Sequence, residues 1–344
     1  MIIFAGTYTR RTKSEGIYTL EFNEETEELK TLHTAMSNNP SFLAVSNGKL
    51  YAVNEMEVFA GYTRFLINQD YSLTKEQQLR TDGSSSCHID ADGTEGRVFV
   101  ANYSSGDFLC YRITGQKEGD MLSMRVMHYG EGPNVRRQKK PHVHSTYITP
   151  DRKRLIVVDL GTDKLMIYDL HSEAMVSPNA INSEVYVGAG EGPRHLCFGP
   201  SGDRIYVITE LLNHVVSFDY DEETGKAEKR SVFPAIPAGF KGKSTSAEIV
   251  LSHDGCFLYA SNRGWDGLAS FSVDKNGDIY PLGFYEGFGK TPRSFTISKD
   301  DRYFIIAYQD SGLVTVVKRN TATGAPEGVV ASAQIPAVVC VLCG

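Results

Sequence analysis

Residues Pro193–Gly225 read PRHLCFGPSGDRIYVITELLNHVVSFDYDEETG. Three short apolar runs, LCF, IYVI and VVSF, are divided by a Pro/Ser/Gly/Asp turn and by a polar link. Runs this short, rich in Val, Ile, Tyr and Phe and bounded by turn formers, predict antiparallel strands. Ser201 and Gly202 supply the backbone freedom of a tight connection. The same order returns in TPRSFTISKDDRYFIIAYQDSGLVTVVKRNTATG (Thr291–Gly324) and in HSTYITPDRKRLIVVDLGTDKLMIYDL (His144–Leu170). It returns again in SAEIVLSHDGCFLYASNRGWDGLASFSVDKNG (Ser246–Gly277). A more variable fourth run follows each. The unit recurs about every 45–60 residues, in or near the range of four-stranded propeller blades.

First strands are expected near Ser41, Cys87, His144, Pro193, Ser246 and Pro292. The N-terminus, MIIFAGTYT followed by GIYTLEFNEETEELKTL, starts instead on a second-strand pattern. Its missing first strand is found in IPAVVCVLCG, from Ile335 onward. A blade shared by both termini hides an edge that would otherwise pair with another chain. The expectation is an all-β fold: a seven-bladed β-propeller of four-stranded antiparallel blades, forming a single domain over residues 1–344. The longer insert Arg112–Gln138 reads as loops or an outer strand.

The chain has 344 residues and a formal net charge of −7, which argues against a nucleic-acid binder. The six cysteines are scattered, and Cys340-Val-Leu-Cys343 has no second pair to complete a zinc or redox motif. No signal peptide or membrane span is evident, so the expected setting is the reducing cytoplasm. Nothing in the sequence fixes an oligomeric state.

Strands one and two of a blade are antiparallel, so the start of the first is level with the end of the second. Polar residues there should meet at one mouth of the central channel. The starts supply His142, His144, Arg194, Glu248 and Arg293. The ends supply Glu55, Asn102, Asp159, Glu210, Arg263 and Gln309. The turns on the other face carry no chemistry. In RRQKKPHVHS (Arg136–Ser145), histidines two apart share a strand face and invite a metal reading, completed by Glu210 or Asp159. Arg194 and Arg263 beside them oppose a dication. Ser145 neighbours His144 but points to the other face, and no Gly-x-Ser-x-Gly elbow is present. A histidine base with arginine anion clamps needs neither metal nor cofactor.

The chain resembles the seven-bladed propeller lactonases, which include the propeller type of 6-phosphogluconolactonase and the carboxymuconate lactonising enzyme. The likeness covers nearly the whole chain. AGTYT, NNPSFLAVS, LYAVNE, CHIDADG, RQKKPHVHS, VVDLGTDKL, EGPRHLCF, YVITEL, LYASNRG and TPRSFTIS carry it by their order and blade positions. The resemblance implies a catalytic set of His144, Arg194, Glu210 and Arg263. His144 is expected to activate water, the two arginines to hold the carbonyl oxygen or a phosphate, and Glu210 to position His144 or relay a proton. His142, Glu248, Arg293 and Arg137 are expected to bind substrate, with the lysines of the basic stretch as a lip. Val250 stands where the family often has a histidine, and the turn in ADGTEGR (Ala91–Arg97) is one residue longer. The implied partner is a small anionic sugar lactone or carboxylate, with no nucleic acid, membrane, metal or cofactor. Lactonisation of a carboxylated muconate is the alternative chemistry. A non-catalytic scaffold is the alternative class, with Trp265 as an anchor for a sugar or a partner.

Overall fold

The computed structural model describes residues 1–114, 119–170 and 181–344. Among them are 28 strands in seven four-stranded antiparallel sheets. In blade 1 the C-terminal strand Val338–Cys343 lies inside Ile2–Thr7, followed by Gly16–Asn23 and Glu28–Met36. Its register runs from Ile3 opposite Cys343 to Thr7 opposite Val338. The inner strands of blades 2 to 7 are Leu43–Ser46, Ser86–Asp92, Val143–Ile148, Pro193–Phe198, Thr245–Leu251 and Pro292–Ile297. Each inner strand contacts the next in cyclic order, and the last contacts the first, so the ring is closed. Part of the insert forms the outer strand Met121–Met127 of blade 3.

The core is a set of clusters between neighbouring blades. Ile156 and Val158 of blade 4, for example, pack on Leu196, Ile205 and Val207 of blade 5. Strand side chains alternate between faces, so each blade serves both neighbours. Second strands such as Arg154–Asp159 are therefore buried throughout, while outer strands such as Glu28–Met36 alternate with solvent. Trp265 is buried within its own blade: it is 7% exposed and meets Phe284 of that blade's outer strand edge-on at 5.6 Å. The exposed anchor considered for it is absent.

One irregularity positions the site. The ladder between first and second strands skips a residue near the mouth in blades 3, 4, 5 and 7. The skipped residues are Cys87, His144, Arg194 and Arg293. In blade 6, Ala247 and Glu248 share the place opposite Ser261. A bulge re-aims a side chain that strict alternation would send elsewhere.

Candidate active site

Three of the bulged residues line a cavity of about 440 Å3 at one mouth of the channel. Cys87, His144 and Arg293 line it from first strands, and Glu55, Tyr103, Glu210 and Arg263 from the ends of second strands. Arg137 enters from the loop before blade 4. A larger groove, about 630 Å3, lies among the turns of the other face, around Asp203, Asp254 and Asn276. It gathers turn formers and no histidine.

Glu210 is the hub. Its Oε1 accepts from Arg137 Nη2 at 2.6 Å. Its Oε2 lies 2.9 Å from Arg263 Nη2 and 3.2 Å from Arg194 Nε. Burial raises its proton affinity, but Arg263, Arg194 and Arg137 overcome that and bring its pKa to about 2. Burial and the neighbouring guanidiniums lower Arg263 to about 10, with Glu210 opposing them. Two of the guanidiniums are also tied to backbone: Arg194 Nη1 donates to the Ala247 carbonyl at 2.5 Å and Arg263 Nη2 to that of Ser246 at 2.9 Å. Ser145, facing away from the cavity, donates to the Arg194 carbonyl at 2.7 Å.

His144 Nε2 is 4.0 Å from Glu210 Oε2, and its buried Nδ1 has no hydrogen-bond partner among the described residues. Burial, followed by Arg194, His195, Arg293 and Arg263, holds its pKa well below 6.5. The imidazole is neutral near physiological pH. Beneath it lies a second layer, one residue further along each inner strand. There His195 Nδ1 meets Glu248 Oε1 at 2.7 Å, and the His195 ring packs on His88, His144 and Phe42. Burial pushes Glu248 up to about 7, against the pull of Arg194.

On the far wall, Arg293 Nη2 donates to the Tyr8 hydroxyl and that hydroxyl donates to Glu55 Oε2, each at 2.8 Å. Tyr103 donates no chemistry by sequence motif, yet its hydroxyl accepts from Arg137 Nη2 at 3.0 Å.

The structure thus brings together His144, Arg194, Glu210, Arg263, Arg137 and Arg293. It does not bring His142 or Glu248 to the cavity wall. His142 stacks on Tyr103 at 4.4 Å, with Nδ1 2.9 Å from the Tyr103 carbonyl oxygen. Glu248 is one residue beyond the blade 6 counterpart of Arg194, which is Ala247, and so falls into the lower layer. Asn102 and Asp159 do not face the mouth either. They pair in register with Ser86 and Val143, one position before the lining residue. Asn102 accepts from Ser86 Oγ at 2.6 Å. Asp159 holds His128 and the amides of His142 and Gly161. Gln309 is not among the lining residues. Tyr8 and Tyr103 were missed. Both directly follow the last residue of a second strand, as Glu55 and Glu210 do, and keeping to that one position would have found them. Among the described residues no three His, Cys, Asp or Glu side chains form a metal-ligand group, and no helix is long and apolar enough to cross a membrane.

Comparison with known proteins matches residues 2–343 to the family model described as "Lactonase, 7-bladed beta-propeller". The chain is 31% identical to a Bacillus subtilis protein named 6-phosphogluconolactonase, over 98% of this chain and 97% of that one. It superposes with a TM-score of 0.91 on a putative 6-phosphogluconolactonase of Bacteroides fragilis, at 31% identity over 99% and 97% of the two chains. A periplasmic gluconolactonase of Pseudomonas aeruginosa gives a TM-score of 0.91 at 28% identity, over 99% and 98%.

Proposed function

The chain belongs to the seven-bladed β-propeller lactonase family, and on that premise we propose that it hydrolyses a small anionic sugar lactone, 6-phosphogluconolactone first. The observation that carries this is a neutral, buried imidazole beside guanidiniums that one carboxylate holds in place. The names of the Bacillus subtilis and Bacteroides fragilis relatives support the phosphorylated substrate.

His144 takes a proton from water as the oxygen attacks the lactone carbonyl carbon. The carbonyl oxygen gains charge and is held by Arg194 and Arg263. Arg263 Nη1 makes no hydrogen bond among the described residues and is open to it. The ring C–O bond then breaks, and the leaving oxygen takes the proton back from His144. One water is consumed, and a hydroxyl and a carboxylic acid result; the acid ionises and releases one proton to solvent. A histidine of low proton affinity is a weak base at rest. Negative charge growing on the substrate beside it raises that affinity when the proton must move. Glu210, at a pKa of about 2, holds no proton near neutrality, so its role is to set the arginines. Four guanidiniums, from Arg137, Arg194, Arg263 and Arg293, face two carboxylates, from Glu55 and Glu210. That excess of positive charge suits one phosphate or carboxylate on the substrate. All six cysteines are free, which fits a reducing compartment such as the cytoplasm.

The test is turnover by the purified protein of fresh 6-phosphogluconolactone and, separately, of a carboxylated muconate, each against its spontaneous rate. Acceleration of the sugar lactone alone, unchanged after dialysis against a chelator, is the expected result. Activity on the muconate alone would replace hydrolysis by lactonisation.

A further inference from the structure

The hydrolytic steps use the cavity wall built by blades 4, 5 and 6. Blades 7, 1 and 2 close the ring across from it and carry a second polar group, Arg293, Tyr8 and Glu55. Its central hydroxyl is engaged both as acceptor and as donor: Tyr8 accepts from Arg293 and donates to Glu55 Oε2. The Arg293 guanidinium also lies 5.2 Å from the centre of the Tyr8 ring. Glu55 lines the cavity, and its Oε1 makes no hydrogen bond among the described residues.

The backbone of Glu55 is held from behind, and Tyr8 anchors its other carboxylate oxygen. The Glu55 amide donates to the Asn39 carbonyl at 3.1 Å, and Asn39 Nδ2 donates to the Glu55 carbonyl at 2.9 Å. Asn39 Oδ1 accepts from the amides of Thr9 and Arg10, at 2.8 and 2.9 Å, in the segment that directly follows Tyr8. One buried asparagine therefore fixes both chain segments of the wall. It does so from the left-handed region, φ 43°, where Asn is at home. The rest of the polar lining is rich in donors. A guanidinium has no acceptor, and Glu210 is already occupied by three of them. Glu55 Oε1 is the open carboxylate acceptor of the cavity.

We infer that Glu55 is the specificity residue of this site: it accepts hydroxyl protons of a polyhydroxylated ligand and repels a ligand that brings a carboxylate to the same wall. The reaction served rests on the lactonase reading above, but the recognition does not. A site built to bond a hydroxyl leaves a desolvated acceptor unpaired when the hydroxyl is missing. A second carboxylate against Glu55 adds like-charge repulsion. A polyhydroxylated acid with one terminal phosphate fits both walls, whereas a polycarboxylate fits only the arginine wall.

Calorimetric titration of the full chain tests this without turnover. The probes are 6-phosphogluconate, a six-carbon acid with a terminal phosphate and no hydroxyls, and tricarballylate. Wild type should bind 6-phosphogluconate about 10-fold or more tighter than the deoxy acid, the range of one hydrogen bond to a charged group. Glu55→Ala should lose that preference while holding the deoxy acid equally well, and should bind tricarballylate more tightly than wild type does. Glu55→Gln, which keeps an acceptor oxygen, should restore part of the preference. Thermal unfolding of each variant separates loss of recognition from loss of fold. Absence of any preference in wild type, no binding of either acid, or equal loss of both acids in a folded Glu55→Ala would overturn the inference. Preference without lactone turnover would refute the lactonase reading and leave this one standing.

Discussion

His144 is depressed by burial and by the cations around it, so it holds no proton through the neutral range. A base is needed unprotonated, and its activity fails as pH falls through its own pKa. The acid limb of kcat/KM, which reports the free protein, should therefore lie below pH 6.5. A limb at or above that value would mean a solvated histidine or a different base. Glu248 shows the opposite sign. Burial raises it to about 7 from an ordinary 4.5, so the folded state keeps a proton that the unfolded chain has released. Its contribution to stability is present below pH 4.5 and is lost as pH rises toward 7. Glu248→Gln should remove that slope and unfold at higher temperature than wild type above pH 7. Melting curves from pH 4 to 8 check it, and parallel curves for the two proteins would contradict the assignment.

At the scale of the element, four site residues, Cys87, His144, Arg194 and Arg293, stand at bulges. The repeat placed the inner strands within a few residues, because apolar runs and turn residues are local signals. Aligning strand starts with strand ends then collected five residues that line the cavity, His144, Arg293, Glu55, Glu210 and Arg263, together with Arg194 against Glu210. The bulges left no such mark, since a skipped residue changes no composition. Strict alternation therefore could not separate Glu248 from Ala247, nor Asn102 from Tyr103. Loops were harder still. Arg137 reaches the site because Gln138 is pinned by Asp163, whose Oδ1 accepts from Gln138 Nε2 at 2.7 Å. The same carboxylate accepts from the amides of Gly190 and Gly192, both at 2.7 Å, just ahead of Arg194. Asp163 is not among the lining residues, so although it lies within VVDLGTDKL its position gave no reason to single it out. Asp163→Ala leaves buried amides unpaired, at a cost of about 1–3 kcal/mol each. It should lower both melting temperature and kcat/KM, and Asp163→Asn should recover part of each. Unchanged kinetics in a destabilised Asp163→Ala would show that the loops hold the arginines without it.

Across the whole molecule, an acidic chain of net charge −7 concentrates guanidiniums in one funnel. The arginines, more than the overall charge, should govern capture of an anion. Raising ionic strength from about 0.01 to 0.15 M shortens the screening length from about 30 to 8 Å. KM for a phosphorylated lactone should rise severalfold over that range while KM for a neutral lactone stays level. Equal responses would argue against an arginine-guided encounter. Ring closure by Val338–Cys343 makes such a funnel possible, because it leaves no inner strand without two neighbours. The central claim is that this funnel hydrolyses lactones through His144, and titrating acid release from fresh 6-phosphogluconolactone tests it most directly. Wild type should exceed the spontaneous rate, and folded His144→Ala should fall back to within a few-fold of it. Wild type no faster than the spontaneous rate, or His144→Ala as fast as wild type, would contradict the account.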